Sequence, residues 1–524
     1  MQPIDIGDLT LDEKYSSRQS ALFHAVREKI IHGLWNKGSK LPSTRKLASE
    51  LEVSRNTVIY AYEQLVTEGY IESKTGSGYY VMVEQPEQYL HSDINATSDL
   101  NVSEGNSINA KNGPNANLGS NSEDSTSIEK EKTRELEHQT QCTFQDEIRS
   151  FDDSDSFDLN AGFAPGVPDL EQFPFAKWQR LLQRHITRKT LAGNQSLQGY
   201  LPLRQALSDY LASSRSVKCN PNRIIITSGA QQAISIALMA TLKQGDEILM
   251  EEPGYLQMHK IINLLKLKRQ GVPVHEKSGI SLDTILTSDA HSLYLTPSNQ
   301  YPMGTTLNTE QRLKLIEWAY QSSSWVIEDD YDSEFQFAHR PYTSMQGLAS
   351  KIRHDDRILY VGSLSKVMFN GLRLGYLVVP ESLVPRCLEI KDALTGDSAA
   401  HTQAALADFI SEGDLLRHIR KMRRLYKQKH QTMVEAVNRE FADDVDVISQ
   451  AAGLHVTIKW QGYITEQEWK LRAKEKGIVV RPLGVYEYVP NPNRTWQGVV
   501  LGFGNIRLQD IDSKVKEIAQ LFYQ

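Results

Sequence analysis

Lys366 lies in GSLSKVMFNGLRLG, directly after the β-rich run RILYVG, with hydroxyls at Ser363 and Ser365 before it and a guanidinium at Arg373 after it. A single lysine after a strand is ordinarily a solvated surface group. Two hydroxyls and an arginine around one amine permit a more specific chemistry, in which they grip a phosphate while the amine attacks an aldehyde. An aldehyde that carries its own phosphate and is held by lysine as a Schiff base is pyridoxal 5′-phosphate.

The other parts of such a site can be sought one at a time. A pyridine nitrogen stays protonated only beside a carboxylate, and Asp329 ends the apolar run WVIEDD. Tyr331, two residues on, points to the same side and can donate to the ring's phenolate oxygen. In SGAQQAIS a strand passes through Ser228 and Gly229 into a helix, so the backbone N–H groups of Ala230 and Gln231 form an anion site. Tyr255, in EEPGY, can stack on a ring. Each has an ordinary reading as acidic loop, turn glycine or loop anchor. Their order along the chain is the specific signal.

Positioning these residues requires strands that end where they sit. Residues 159–524 alternate short apolar runs with helical segments, the pattern of a mostly parallel sheet covered on both faces. Ligands of such α/β sheets bind beyond the carboxyl ends of the strands, where the motifs above fall.

Residues 14–83 have another plan. Ala21, Leu22, Ala25, Val26, Ile30 and Ile31 make one helical stripe ending near Gly33. Ser43 caps a short helix with Leu47, Ala48 and Leu51 inward, and Ser54 caps a second with Val58, Ala61, Tyr62 and Leu65 inward. That spacing leaves Arg55, Asn56 and Thr57 on the outer first turn, where a helix entering a major groove presents side chains to bases and phosphates. YIESK and YYVMV around TGSG form a hairpin, the wing of a winged helix-turn-helix, with Lys74 in it.

Composition bounds the rest. The 524 residues, 40% hydrophobic and 23% charged, suit about three units of soluble protein. Cys142, Cys219 and Cys387 are too dispersed for a disulfide framework or zinc site, so a cytoplasmic location and no metal are expected. The opening MQPIDIGDLTLDEK lacks the order of a secretory leader, and no apolar run reaches about 18 residues, so no membrane partner is expected. The net charge of −7 is uneven: residues 1–83 are neutral, 84–158 carry −12 and 159–524 carry +5. The middle stretch is rich in Ser, Asn, Asp and Glu and reads as a disordered acidic linker.

Residues 41–81 resemble the reader domain of the GntR family of bacterial transcription regulators, matching LPSxRxLAxxLxVSRxTVxxAYxxLxxEGxIxxxxGxGxxV at nearly every position. The resemblance implies DNA contacts from Ser43, Arg45, Arg55, Thr57 and Gly76. From 159 to 524 the order of the Gly-rich helix start, PGY, PSNQYPMG, EDDYDSEF, SLSK and GLRLG resembles the aspartate-aminotransferase superfamily, fold type I among pyridoxal-phosphate proteins. Together the two resemble the MocR subfamily. That implies an α/β protein with a winged helix-turn-helix head, cofactor attachment at Lys366, and a head-to-tail homodimer in which each reader rests on its partner's large domain.

The chain departs from the enzymes at Tyr301-Pro302-Met303-Gly304, where they carry Asn-Pro-Thr-Gly. Either Asn299 replaces the missing contact to the ring oxygen or Tyr331 suffices. Arg481, in GIVVRPLGVYEY, is the candidate for gripping an effector's carboxylate, because WQGVVLGFGNI lacks the arginine many of the enzymes place there. Two functions follow: a regulator that binds double-stranded promoter DNA and senses the cofactor or an amino compound, or an active aminotransferase with an appended DNA-binding module.

Overall fold

A computed structural model describes the chain apart from residues 1–8, 10, 12–16, 32–33, 36, 68–69, 75–77, 83–161, 194–195, 218, 338–341, 490 and 492–493. The expected linker and Gly76 lie outside the described residues.

The amino-terminal unit contains α1 (Arg18–Ile31), α2 (Thr44–Glu50), α3 (Arg55–Thr67), β1 (Ile71–Lys74) and β2 (Gly78–Val81). Helix starts leave N–H groups without intrahelical acceptors, and serines supply them. Ser43 Oγ accepts from Lys46 N at 3.2 Å, and Ser54 Oγ accepts from Thr57 N at 3.1 Å. Leu22, Val26, Leu47, Val58, Tyr62 and Leu65 are buried together, as helical spacing requires. β1 and β2 pair antiparallel from Ile71–Val81 to Lys74–Gly78, which builds the wing.

The large lobe is built on an eight-stranded sheet in the order β3-β10-β9-β8-β7-β4-β5-β6. These strands are β3 (Ile224–Thr227), β4 (Glu247–Glu252), β5 (Lys268–His275), β6 (Gly279–Ile280), β7 (Ser292–Leu295), β8 (Trp325–Asp330), β9 (Ile358–Ser363) and β10 (Gly375–Val378). β5, β4, β7, β8 and β9 run parallel, while β10 is antiparallel to both β3 and β9. Side chains alternate between the faces. Ile248, Met250, Tyr294, Ile327, Leu359 and Val361 face one apolar cluster, and Leu249, Leu293, Leu295, Val326 and Ile358 face another. Burial on both faces explains why these strands read as continuous apolar runs.

The smaller lobe carries an antiparallel sheet in the order β11-β12-β14-β13: β11 (Val445–Val447), β12 (His455–Trp460), β13 (Arg481–Pro482) and β14 (Gln497–Gly502). Helices Asp414–Phe441, Glu466–Glu475 and Ile511–Tyr523 belong to this lobe, where Phe441, Trp460, Trp469 and Phe522 make edge-on ring contacts.

The reader packs on its own chain's large lobe. Its buried side chains share one apolar cluster with Met345, Leu348 and Ala349. Arg27 of α1, 2% exposed, donates to Thr343 Oγ1 at 2.9 Å and Ser216 Oγ at 3.3 Å, and Glu28 pairs with Lys351. No helix among the described residues is long and apolar enough to cross a membrane.

Candidate functional site

The acidic run at the end of β8 is sorted by pleat. Glu328 and Asp330 point to one face, where buried arginines meet them: Arg215 Nε donates to Asp330 at 2.6 Å, and Arg312 lies 3.6 Å from Glu328. Asp329 points to the other face, where Tyr294 OH donates to its Oδ2 at 2.7 Å. Its Oδ1 is buried without a partner. Burial lifts this carboxyl to about 7. An acceptor that lacks a donor in the protein suits a protonated ring nitrogen.

Strand register assembles an anion cradle. Gly375 of β10 pairs with Thr227 at the end of β3 and with Ser363 at the end of β9. The helix Ala230–Thr241 starts just beyond β3, with Gly229 at φ +100°. A Cβ at Gly229 would lie 3.5 Å from the Arg373 guanidinium, so backbone and arginine approach closely there. Ser363 Oγ accepts from Ser365 N at 3.2 Å, and the two hydroxyls lie 3.1 Å apart. Tyr255 lies near both Asp329 and Arg373, which act oppositely on its phenol; burial dominates and raises its pKa. The residues around the cleft therefore suit a molecule with an anionic end and a protonated ring nitrogen.

Lys366 is half-buried and its Nζ donates to Gly166 O at 2.6 Å. Desolvation lowers its pKa to about 8, Asp332 opposes that shift and Arg481 adds to it. Arg481 therefore lies in this cleft, where it also hydrogen-bonds Tyr486. Gly166, at φ +74°, lies against the lysine: a Cβ there would be 2.5 Å from Lys366 Nζ, so the end of that side chain would have to shift. Asn299 Nδ2 donates to both Asp332 oxygens, at 3.0 and 3.1 Å, and Tyr331 OH donates to Asn299 O at 2.9 Å. The amide nitrogen that was to replace the enzymes' asparagine is thus committed to Asp332.

Sequence reasoning missed Tyr294, Gly166, Asp332, Tyr301 as an aromatic group of the cleft, Tyr486 and His455. Asp332 lies inside EDDYDSEF, and its buried partner Asn299 lies 33 residues earlier, in a separate motif. Tyr301 and Tyr486 share a hydroxyl hydrogen bond at 2.6 Å. No periodicity links such pairs.

On the reader, Arg45, Lys46, Arg55 and Asn56 are exposed. Thr57 corrects the expected outer turn. It is only 9% exposed, and its hydroxyl shares a 2.8 Å hydrogen bond with Ser54, because a residue at this helix position folds back on the cap. Ser43 is exposed while its hydroxyl caps α2. Arg55 Nε donates to Thr44 Oγ1 at 3.4 Å, and Lys74 pairs with Glu72 at 2.7 Å while lying 5.0 Å from the Tyr80 ring centre.

A winged reader on an α/β body with a lysine, an aspartate with one unpartnered oxygen and an anion cradle defines a DNA-binding transcription regulator with an aminotransferase-like domain. The profile of bacterial regulatory proteins of the gntR family matches residues 18–81, and that of aminotransferase class I and II matches 157–495. The chain is 31% identical over 503 residues to the probable rhizopine catabolism regulatory protein MocR of Rhizobium meliloti, covering 96% of this chain and 93% of that one. It is 27% identical over 414 residues to the HTH-type pyridoxine biosynthesis transcriptional regulator PdxR of Corynebacterium glutamicum, covering 79% and 77%. In fold it resembles LysN, the α-aminoadipate aminotransferase of Thermus thermophilus solved with N-(5′-phosphopyridoxyl)-L-leucine, at TM-score 0.65 and 23% identity, covering 72% of this chain and 96% of that one. The chain belongs to the MocR subfamily of GntR-type regulators. The cofactor of its aminotransferase-like domain is pyridoxal 5′-phosphate.

Proposed function

We propose that this regulator senses pyridoxal phosphate, or an amino compound reacting with it, in the cleft around Lys366 and Asp329. The unpartnered buried Oδ1 of Asp329 carries the reading: it needs a donor, and a protonated pyridine nitrogen provides one. When bound, pyridoxal phosphate supplies an electrophilic carbon and an electron-withdrawing ring to an amino group. Lys366 holds the cofactor, Tyr331 donates to the ring oxygen and Tyr255 lies against the ring. Ala230, Gln231, Ser363, Ser365 and Arg373 hold the phosphate, while Asn299 orients Asp332 and Tyr331. Arg481 takes an anionic group of the effector.

Arg45, Arg55, Asn56 and Lys74 face DNA, with Ser43 and Thr57 fixing the helix starts that present them. The chain acts in the cytoplasm. It forms a head-to-tail homodimer in which each reader rests on its partner's large lobe, the two chains exchanging the contact that Arg27 and Glu28 make within one chain. An effector changes DNA affinity only if it binds the docked and released arrangements unequally.

The test is operator binding by fluorescence anisotropy, using the DNA upstream of the chain's own gene. Full-length protein stripped of cofactor is compared with protein reloaded with pyridoxal phosphate, each also carrying Lys366→Ala. Reloading changes the wild-type affinity at least about fivefold and leaves Lys366→Ala unchanged. Equal affinities in both forms of wild type reject sensing of the cofactor itself. Multiple-turnover amino-group exchange would establish the enzyme instead.

A further inference from the structure

His455 opens β12 on the wall of the small lobe and is only 3% exposed. Two residues earlier, a Cβ at Gly453 would lie 2.6 Å from Asn299 Nδ2, so this segment of the small lobe abuts the Asn299–Asp332 pair. The His455 ring meets Tyr301 edge-on with centroids 5.2 Å apart, and Tyr301 in turn meets Tyr331 at 5.9 Å and Tyr486 at 5.1 Å. The charge of Lys366 also bears on it. The imidazole therefore sits among the groups that surround the reactive amine.

Its two nitrogens differ. One hydrogen-bonds the Pro302 carbonyl, so it carries the proton, and Nε2 is the nitrogen with no partner. That fixes the tautomer and makes Nε2 an acceptor. Burial lowers the pKa to about 4, so the ring stays neutral near pH 7. In the cofactor-free fold nearby donors pair elsewhere: Tyr301 and Tyr486 with each other, Tyr331 with Asn299 O, Asn299 with Asp332, and Lys366 with Gly166 O; with the cofactor bound, Lys366 and Tyr331 turn to it rather than to His455. The ring N–H of a bound cofactor is matched by Asp329. The remaining sources of a donor for Nε2 are the neighbouring His430, whose Nε2 is likewise unpartnered, water, and a bound molecule.

We infer that His455 is a specificity-determining contact whose Nε2 accepts a hydrogen bond from a second hydroxyl or amino group on the bound amino compound, besides its reacting amine. This rests on the reading that the cleft takes an amino compound. The ligand class is then an amino alcohol or a diamine rather than a simple amine. A site with a buried acceptor discriminates against a ligand lacking the donor, because that acceptor stays unpaired.

The experiment titrates the full-length protein, loaded with pyridoxal phosphate, with matched amines: propylamine, 3-amino-1,2-propanediol, 1,3-diaminopropane, and the set L-alanine, L-serine and L-2,3-diaminopropionate. Binding is read from the visible spectrum and by calorimetry. In wild type the donor-bearing members bind about tenfold tighter than their parents, and the better of hydroxyl and amine identifies the donor. His455→Phe removes the preference while keeping the visible band; His455→Leu serves if the phenylalanine variant does not fold. A wild type that binds parents and donor-bearing amines alike has only water at Nε2 and overturns the inference, as does an unchanged preference in the variants. Absence of any visible band in loaded wild type overturns the underlying reading of the cleft as well.

Discussion

Arg27 Nη1 donates to Thr343 Oγ1 at 2.9 Å, joining the first reader helix to a loop whose other side faces the buried charges beneath β8. Thr343 O accepts from Arg312 Nη1 at 3.1 Å, and Arg215, adjacent to Ser216, donates to Tyr342 O at 3.0 Å, Ser298 Oγ at 2.8 Å and Asp330 Oδ2 at 2.6 Å. The loop that receives the reader is thus held by the same arginines that neutralise the carboxylates flanking Asp329.

Replacing Arg27 with Met keeps most of the stem and removes two donors from buried hydroxyls. Docking of the reader on the lobe then weakens by about 1–3 kcal/mol. Hydrogen exchange should rise in α1 and in the helix Met345–Ile352, with the cofactor's visible band unchanged. Unaltered exchange in both helices would show that Arg27 does not hold the interface.

Asp329 gives stability a pH dependence. Its carboxyl sits at about 7 in the fold against an ordinary 3.8, so between those values the cofactor-free fold holds a proton that the unfolded chain has lost. The unfolded state binds fewer protons there, and stability falls as pH rises from about 4 to about 7. A pyridinium beside Oδ1 favours the carboxylate and cancels this loss. The rise in melting temperature on adding pyridoxal phosphate therefore grows from pH 5 to pH 7 in wild type. It is smaller and flat in Asp329→Asn, which also binds the cofactor at least about tenfold more weakly.

Lys366 attacks only as a neutral amine. With its pKa at about 8, capture of pyridoxal phosphate speeds up about tenfold per pH unit below that value and levels off above it. Stopped-flow absorbance at the visible band measures the profile. A plateau reached only near pH 10 would mean that the amine is not desolvated in solution.

Gly166→Ala places a methyl carbon 2.5 Å from Lys366 Nζ and holds alanine at φ +74°. The backbone cost is about 1 kcal/mol, and displacement of the lysine weakens cofactor binding at least about tenfold. Equilibrium titration with pyridoxal phosphate checks this, and wild-type affinity in the variant would refute the contact.

Arg55→Ala lowers operator affinity about tenfold and reduces the dependence on log salt by about one unit if the guanidinium meets a phosphate. The visible band stays as in wild type. If the salt slope is unchanged while preference at one base pair is lost, Arg55 reads a base edge instead.

What could be read from the sequence was local. Ser43 and Ser54 mark helix starts because a hydroxyl satisfies backbone N–H groups a few residues away, and the apolar spacing of α1 to α3 reports their buried faces. Asp329 and Lys366 stand at strand ends that apolar runs mark directly, and the two-residue period already separates Asp329 from Glu328 and Asp330. The same local logic misplaced Thr57, whose hydroxyl turns back to Ser54. Chain folding across separations from 33 residues to more than 300 decided the rest: Asn299 against Asp332, Gly166 against Lys366, His455 against Tyr301, Arg27 against Thr343. Helix and strand periods record which face of an element is buried. They do not record what it is buried against, because that depends on strand order and lobe packing, which join positions with no short-range relation.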